Sequence, residues 1–251
     1  MELEYEKCFL GAAIQLSDVC MVYPLTVKEV MGLGRIKYNS YLNLLTMTES
    51  DIEFYFEQKI QENPNLQKPD YNGVFDYLMR SCENDSTFLM DLQKAFSTFI
   101  REQVQILPDM NMVVVGKPNK KRIINEKLFF DFQNILRLQN REPLEEPIPE
   151  NENPMQRKFR LRRAALKDAK KRQKKNPDDS APEFYELMSS LCCFNVGVTP
   201  FNVGDLTLFA FYELLSRSEE KEKFESDCAA LRAGADSKKI KPKYWIRSLK
   251  E

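Results

Sequence analysis

The sequence predicts a mainly α protein: two helical parts joined by a charged linker, with one small β-hairpin in the N-terminal part. Three observations carry this. Apolar residues recur at three- and four-residue spacings through most of the chain, the period of a helix that buries one face. One pair of β-branched runs, MVVVG (112–116) and KRIIN (121–125), flanks a turn-forming Lys-Pro-Asn-Lys. Between residues 157 and 175 lie eleven basic side chains and a single acid, Asp168. The flanks, EPLEEPIPENENP (142–154) and NPDDSAPE (176–183), are proline-rich and acidic. Burying eleven unpaired cations costs more than their stems return, so this block is expected outside any compact core. The division is therefore an N-terminal helical domain with the hairpin at 1–141, a charged linker with a basic helix at 142–183, and a C-terminal helical domain and basic tail at 184–251.

Residues 1–23 read as extended or irregular, with Cys20–Pro24 a short strand stopped by its proline. Thr26-Val-Lys-Glu29 supplies a reciprocal capping box. Val27, Val30 and Met31 share a face, Gly32 and Gly34 loosen the helix, and Tyr38, Tyr41, Leu42 and Leu45 continue the stripe. Ser50-Asp-Ile-Glu53 repeats the capping signal before a helix that ends at Asn63-Pro64. Asp70 opens another helix, with Tyr71, Val74, Phe75, Leu78, Met79 and Cys82 as its apolar face. The longest pattern runs from Ser86 to Leu107 and is closed by Pro108. After the hairpin, Asn125 caps a helix carrying Leu128, Phe129, Phe132, Ile135 and Leu136. The basic block has high helix propensity and a thin apolar seam of Met155, Phe159, Leu166 and Ala169. A short helix, Phe184 to Phe194, precedes two degenerate heptads, FNVGVTP and FNVGDLT, which read as paired turns. Asp205 then caps a buried apolar helix to Ser216. A second, more polar helix follows Ser218 and stops at Gly234. The tail holds the chain's one tryptophan, Trp245, between cations.

Composition excludes several chemistries. The 251-residue chain has no histidine, which removes Ser-His-Asp and Cys-His nucleophiles, HExxH zinc sites and imidazole proton transfer. Six cysteines form no CxxC pair and read as small buried hydrophobes in a reducing compartment. The loop Gly116-Lys-Pro-Asn-Lys-Lys121 lacks the second glycine and Lys-Ser/Thr of a phosphate loop. Pro177-Asp178 and Glu219-Glu-Lys221 do not make a nuclease site, since Asp178 lies in a linker rather than on a rigid element. No catalytic residue, metal ligand or cofactor is expected, and the chain is read as a non-enzyme. A charged N-terminus and the lack of an 18-residue apolar run predict no signal peptide and no membrane span.

What remains is binding. In the basic block, Arg157, Arg160, Arg162, Arg163, Lys170 and Lys171 are candidate partner contacts. In the tail, Tyr244, Trp245, Ile246 and Leu249 place apolar bulk among cations, as residues that anchor in a groove do. A protein with complementary acids is favoured over nucleic acid, because net charge is only −1 and Phe159 is the one aromatic in the block. A solvated linker helix, and a tail that docks on its own domain, are the plainer alternatives.

Pro24-Leu-Thr-Val-Lys-Glu-Val30, followed by Gly34 and Tyr38-x-x-Tyr41-Leu42, resembles the opening helices of tail assembly chaperones from long-tailed, siphovirus-like phages of Gram-positive bacteria. Leu206-Thr-Leu-Phe-Ala-Phe-Tyr-Glu-Leu-Leu215, with the polar helix and basic tryptophan-bearing end after it, is similar to that family's C-terminal region. The resemblance implies a helical chaperone in the host cytoplasm. Such a protein binds the long helical tape-measure protein and promotes tail-tube assembly, with the major tail protein a second candidate contact. A nucleic-acid-binding protein using residues 157–175, and a structural component of the tail, are the alternatives.

Overall fold

Two threonines set the frame. Thr26 caps helix α2 (Val27–Leu33) through the full reciprocal box with Glu29, and Thr207 caps helix α10 (Leu208–Arg232) by accepting from the Ala210 amide. The caps lie side by side as an antiparallel bridge, with the Val27 amide on Leu206 O at 2.8 Å and the Leu208 amide on Leu25 O at 3.1 Å. Residues about 180 apart in sequence thus start their helices from one shared backbone ladder.

The structure is a computed structural model that describes residues 5–65, 67–117, 119–144, 152–153, 155–163 and 182–246. The fold is mainly α. Helix α1 (Tyr5–Phe9) leads into strands β1 (Ile14–Leu16) and β2 (Cys20–Val22), then α2, α3 (Arg35–Leu45), α4 (Glu49–Glu62), α5 (Gly73–Asn84) and α6 (Ser86–Ile100). Strands β3 (Val104–Leu107), β4 (Met112–Val115) and β5 (Arg122–Ile124) precede α7 (Glu126–Gln139). Residues 155–163 are helical (α8), and α9 (Phe184–Phe194) and α10 complete the order.

The expected hairpin is present but is two strands of three. Strand β4 pairs antiparallel with both β3 and β5, placing Val113 between Ile106 and Ile124 in one buried row. The turn between β4 and β5 needs Gly116: at φ +102 an added Cβ would lie 2.7 Å from Lys120 O. A second hairpin, β1–β2, pairs Leu16 with Cys20 and turns Ile14, Leu16, Cys20 and Val22 inward.

Several boundaries differ from the sequence reading. The pattern from Ser86 does not stay helical to Leu107. Arg101 takes a left-handed conformation (φ 58), sets its guanidinium over Tyr23 and pairs with Glu29 at 2.6 Å, and the chain leaves as β3. Val104 satisfied a helical spacing and a strand alternation equally well, and pairing with β4 decides between them. Helix α4 is capped by Thr48 with Asp51, two residues before the expected Ser50. Helix α5 begins at Gly73 rather than Asp70, with the Asn72 amide on the Asp76 carboxylate. Thr207, not Asp205, caps α10, which runs unbroken through Ser218 for 25 residues. The acidic stretch after Ser218 has good helix formers and no residue that ends a helix, so a cap-like signal alone does not break it.

Helical parts do lie on either side of residues 142–183, but they share one core. Phe96 stacks on Phe132 at 5.1 Å, and Phe129 contacts both Phe75 and Phe96. The same contiguous cluster includes Phe184 and Leu191 of α9 and Leu208, Phe209, Phe211 and Leu215 of α10. Phe211 is fully buried, 5.3 Å from Phe184. A composition shift marks where the chain leaves the core. It carries no information about whether the chain returns, and here α10 returns to α1 and α7, α9 packs on α10, and the 3-10 turn Val203–Asp205 meets α2.

Candidate functional site

The first candidate site is the described start of the basic block, and it does not float. Helix α4 carries Glu49 at its first position, near the buried cluster of Ile52, Phe56 and Tyr71, and the residue is only 5% exposed. Arg160 Nη2 donates to one Glu49 oxygen at 2.6 Å and Arg157 Nη2 to the other at 3.2 Å. Arg160 also grips Glu152 with two bonds, at 2.8 and 2.9 Å, and the Arg157 guanidinium lies 5.8 Å over the Tyr71 ring. A three-residue step sets the two arginines on one face of α8, so one buried carboxylate can serve both. The bonds to Glu152 and Glu49 outweigh burial and push the Arg160 guanidinium upward, and the bond to Arg160 holds Glu152 below the usual carboxylate range. Burial raises the Tyr71 hydroxyl, and the neighbouring Glu53 raises it further.

The described part of α8 is exposed around most of its circumference, as expected of a block outside the core, and docks along one edge. Arg157 and Arg160 face the fold, while Arg162 and Arg163 are exposed together with Met155 (70%) and Phe159 (65%). The proposed apolar seam therefore points away from the core in its described half. Lys170, Lys171, Leu166 and Ala169 lie outside the described residues.

The tail, the second candidate, folds back on α10. Tyr244 meets Phe224 edge-on at 5.5 Å, Trp245 packs on Tyr244, and Trp245 O accepts from Arg217 Nη1 at 3.2 Å. Trp245 is half-buried, whereas Tyr244 and Ile246 remain about 60% exposed. Leu249 lies outside the described residues.

Sequence reasoning missed the residues that organise these two segments. Glu49 stands before the expected Ser50 cap and carries no signal of its own; only the fold shows its buried carboxylate against Arg157 and Arg160. Arg141, in a left-handed conformation just past α7, donates to Tyr212 O at 2.8 Å and pairs with Glu213 at 3.1 Å. Glu213 in turn holds Arg217 at 3.1 Å, so a charged chain runs from the start of the linker to the tail. Beside it Tyr38 donates to Asn140 in a cavity of about 460 Å³ lined also by Leu42, Leu208 and Tyr212. Burial drives the Tyr38 hydroxyl far upward, which makes it a donor and not a base. The turns at 194–201 expose Val196 and Phe201 almost fully. Among the described residues no three acidic or cysteine side chains gather as a metal would require, and no helix is long and apolar enough to cross a membrane.

Fold and site together describe a helical protein whose distinctive chemistry is cationic and aromatic side chains held at its surface. A family model described as the YomV second domain matches residues 171–250. YomV is a Bacillus phage-region protein, so the C-terminal third of this chain is similar to a phage-associated domain. No curated protein and no solved structure matches the chain.

Proposed function

We propose that this chain is a non-enzymatic phage tail assembly chaperone that binds the tape-measure protein and promotes tail-tube assembly in the host cytoplasm. The similarity of residues 171–250 to the YomV second domain carries the reading, because it gives the phage association a footing beyond the resemblance at residues 24–42 and 206–215. The surface supports the same direction. Arg162 and Arg163, beside exposed Met155 and Phe159, offer charge for register and apolar area for adhesion to a long amphipathic helix. Masking such a helix shifts it away from aggregation by mass action.

Engagement of Arg157 and Arg160 by Glu49 and Glu152 removes two cations from any outward phosphate-binding array, which disfavours the nucleic-acid alternative. The test is co-expression with a phage tape-measure protein, the long helical partner this reading requires. The chaperone reading expects the long protein to stay soluble only when this chain is present, and less so with Arg162→Glu and Arg163→Glu. Equal solubility with and without the chain would refute it.

A further inference from the structure

Helix α10 is longer than its core. Its buried positions end at Leu215, yet it continues to Arg232, and the half-buried residues of that extension include Arg217, Phe224, Cys228 and Leu231, at helical spacing along one side. From the tail, Tyr244 meets Phe224, and the Trp245 carbonyl accepts from Arg217, which also holds Glu213. Charge is matched as well. Residues 219–227 hold five acids against two lysines, and residues 236–246 hold four lysines against one acid. Among its described residues the tail has no helix or strand after Asp236, so no internal hydrogen-bond ladder holds them to this face.

We propose that the Phe224 face of α10 is a docking face for a basic, aromatic-bearing segment of the protein partner, and that the tail is its resident, displaceable occupant. The tail shows what fits: an aromatic against Phe224, carried by a lysine-rich segment opposite in charge to this stretch of the helix. Arg141, Glu213 and Arg217 tie this strap to the start of the linker, so the strap's hold depends on how the chain leaves α7. The inference rests on the chaperone reading only for the identity of the partner. The face itself is testable without one.

The probe is a labelled synthetic peptide of residues 236–246, DSKKIKPKYWI, titrated against full-length chain and read by fluorescence anisotropy. Wild type should bind it weakly, because its own tail is in place. A Tyr244→Ala/Trp245→Ala chain should bind it at least about tenfold more tightly, since freeing an occupied site removes the resident competitor. Adding Phe224→Ala should abolish that gain, as should a peptide whose four lysines are glutamates. Circular dichroism of each variant checks that α10 is intact. Equal affinity for wild type and the strap variant, no binding to a folded strap variant, or indifference to Phe224→Ala would each overturn the proposal. A wild-type dimer that Tyr244→Ala/Trp245→Ala converts to monomer would also overturn it, by assigning the face to the tail of a second copy. Failure here leaves the chaperone reading standing, because the solubility test involves a different molecule and a different readout.

Discussion

Replacing Glu49 with glutamine should undock α8 without unfolding the protein. The wild-type carboxylate is buried and accepts from two arginines whose side chains are 35% and 30% exposed. Removing one partner of a fully buried pair costs roughly 3–5 kcal/mol, because a bare charge is stranded. An exposed pair is worth only about 0.2–1 kcal/mol. Here the buried charge is the one removed, and the arginines can turn toward water. Arg160 also keeps its two bonds to Glu152. The cost should therefore fall between the limits, at about 2 kcal/mol, and cannot exceed what docking contributes. That corresponds to about a 30-fold rise in the undocked fraction. Isolated helical segments are marginal in water, so undocking should fray residues 157–163. Amide hydrogen exchange across residues 157–163 should then accelerate by about that factor, while amides of α6 and α7 keep their protection. Combining Glu49→Gln with Arg160→Gln should cost less than the sum of the two. Unchanged exchange in residues 157–163, or strict additivity, would refute the account of the clasp.

Three further outcomes follow from the packing. Phe211→Ala should cost about 3–5 kcal/mol in urea denaturation and lower a single transition, since α10 belongs to the common core; two separated transitions would contradict a shared core. Trypsin cut within 142–183 should leave fragments that co-elute on native size exclusion and part only in denaturant; fragments that separate at once would show that Leu206–Leu208 and Phe211 do not hold the halves together. Burial pushes the Cys20 thiol up from 9.0 to about 11 and the Cys82 thiol up to about 12. Both thiols ionise earlier in the unfolded chain, so their stabilising effect is complete below about pH 9 and is lost as pH rises through 11 and 12. The urea midpoint should fall over that window and Cys193, which is exposed, should react first with a thiol reagent; a flat midpoint, or early labelling of Cys82, would contradict it.

The sequence made local structure readable where one residue type has one mechanical use. Thr26 with Glu29, Asn125 before Leu128 and Pro24 after β2 stand where their chemistry requires, whereas Gly34, expected only to loosen one helix, divides it into α2 and α3. Gly34 takes φ +90 and its amide closes α2 on Val30 O, which a β-carbon would oppose. Legibility stopped where tertiary pairing decides. Val104 and Ile106 needed β4 to become a strand, and Ser218 needed no break because nothing competes with α10 there. The candidate site was half legible for a related reason. Eleven cations announce a surface, but which of them face inward depends on where a buried acid lies. Glu49 is separated from Arg160 by 111 residues, beyond any periodicity. Three residues of α8 turn divide the block into a docking pair, Arg157 and Arg160, and an outward pair, Arg162 and Arg163.

The central claim is that the chain binds a long helical protein and not nucleic acid. It is tested most directly by purifying the tagged chain from cells that co-express a phage tape-measure protein, then measuring the composition of what elutes at physiological salt. The account predicts an elongated helical protein in stoichiometric amount, absorbance free of nucleic acid, and loss of that protein with Arg162→Glu/Arg163→Glu. Eluted nucleic acid that survives physiological salt and disappears with the same two substitutions, with no long protein bound, would contradict it.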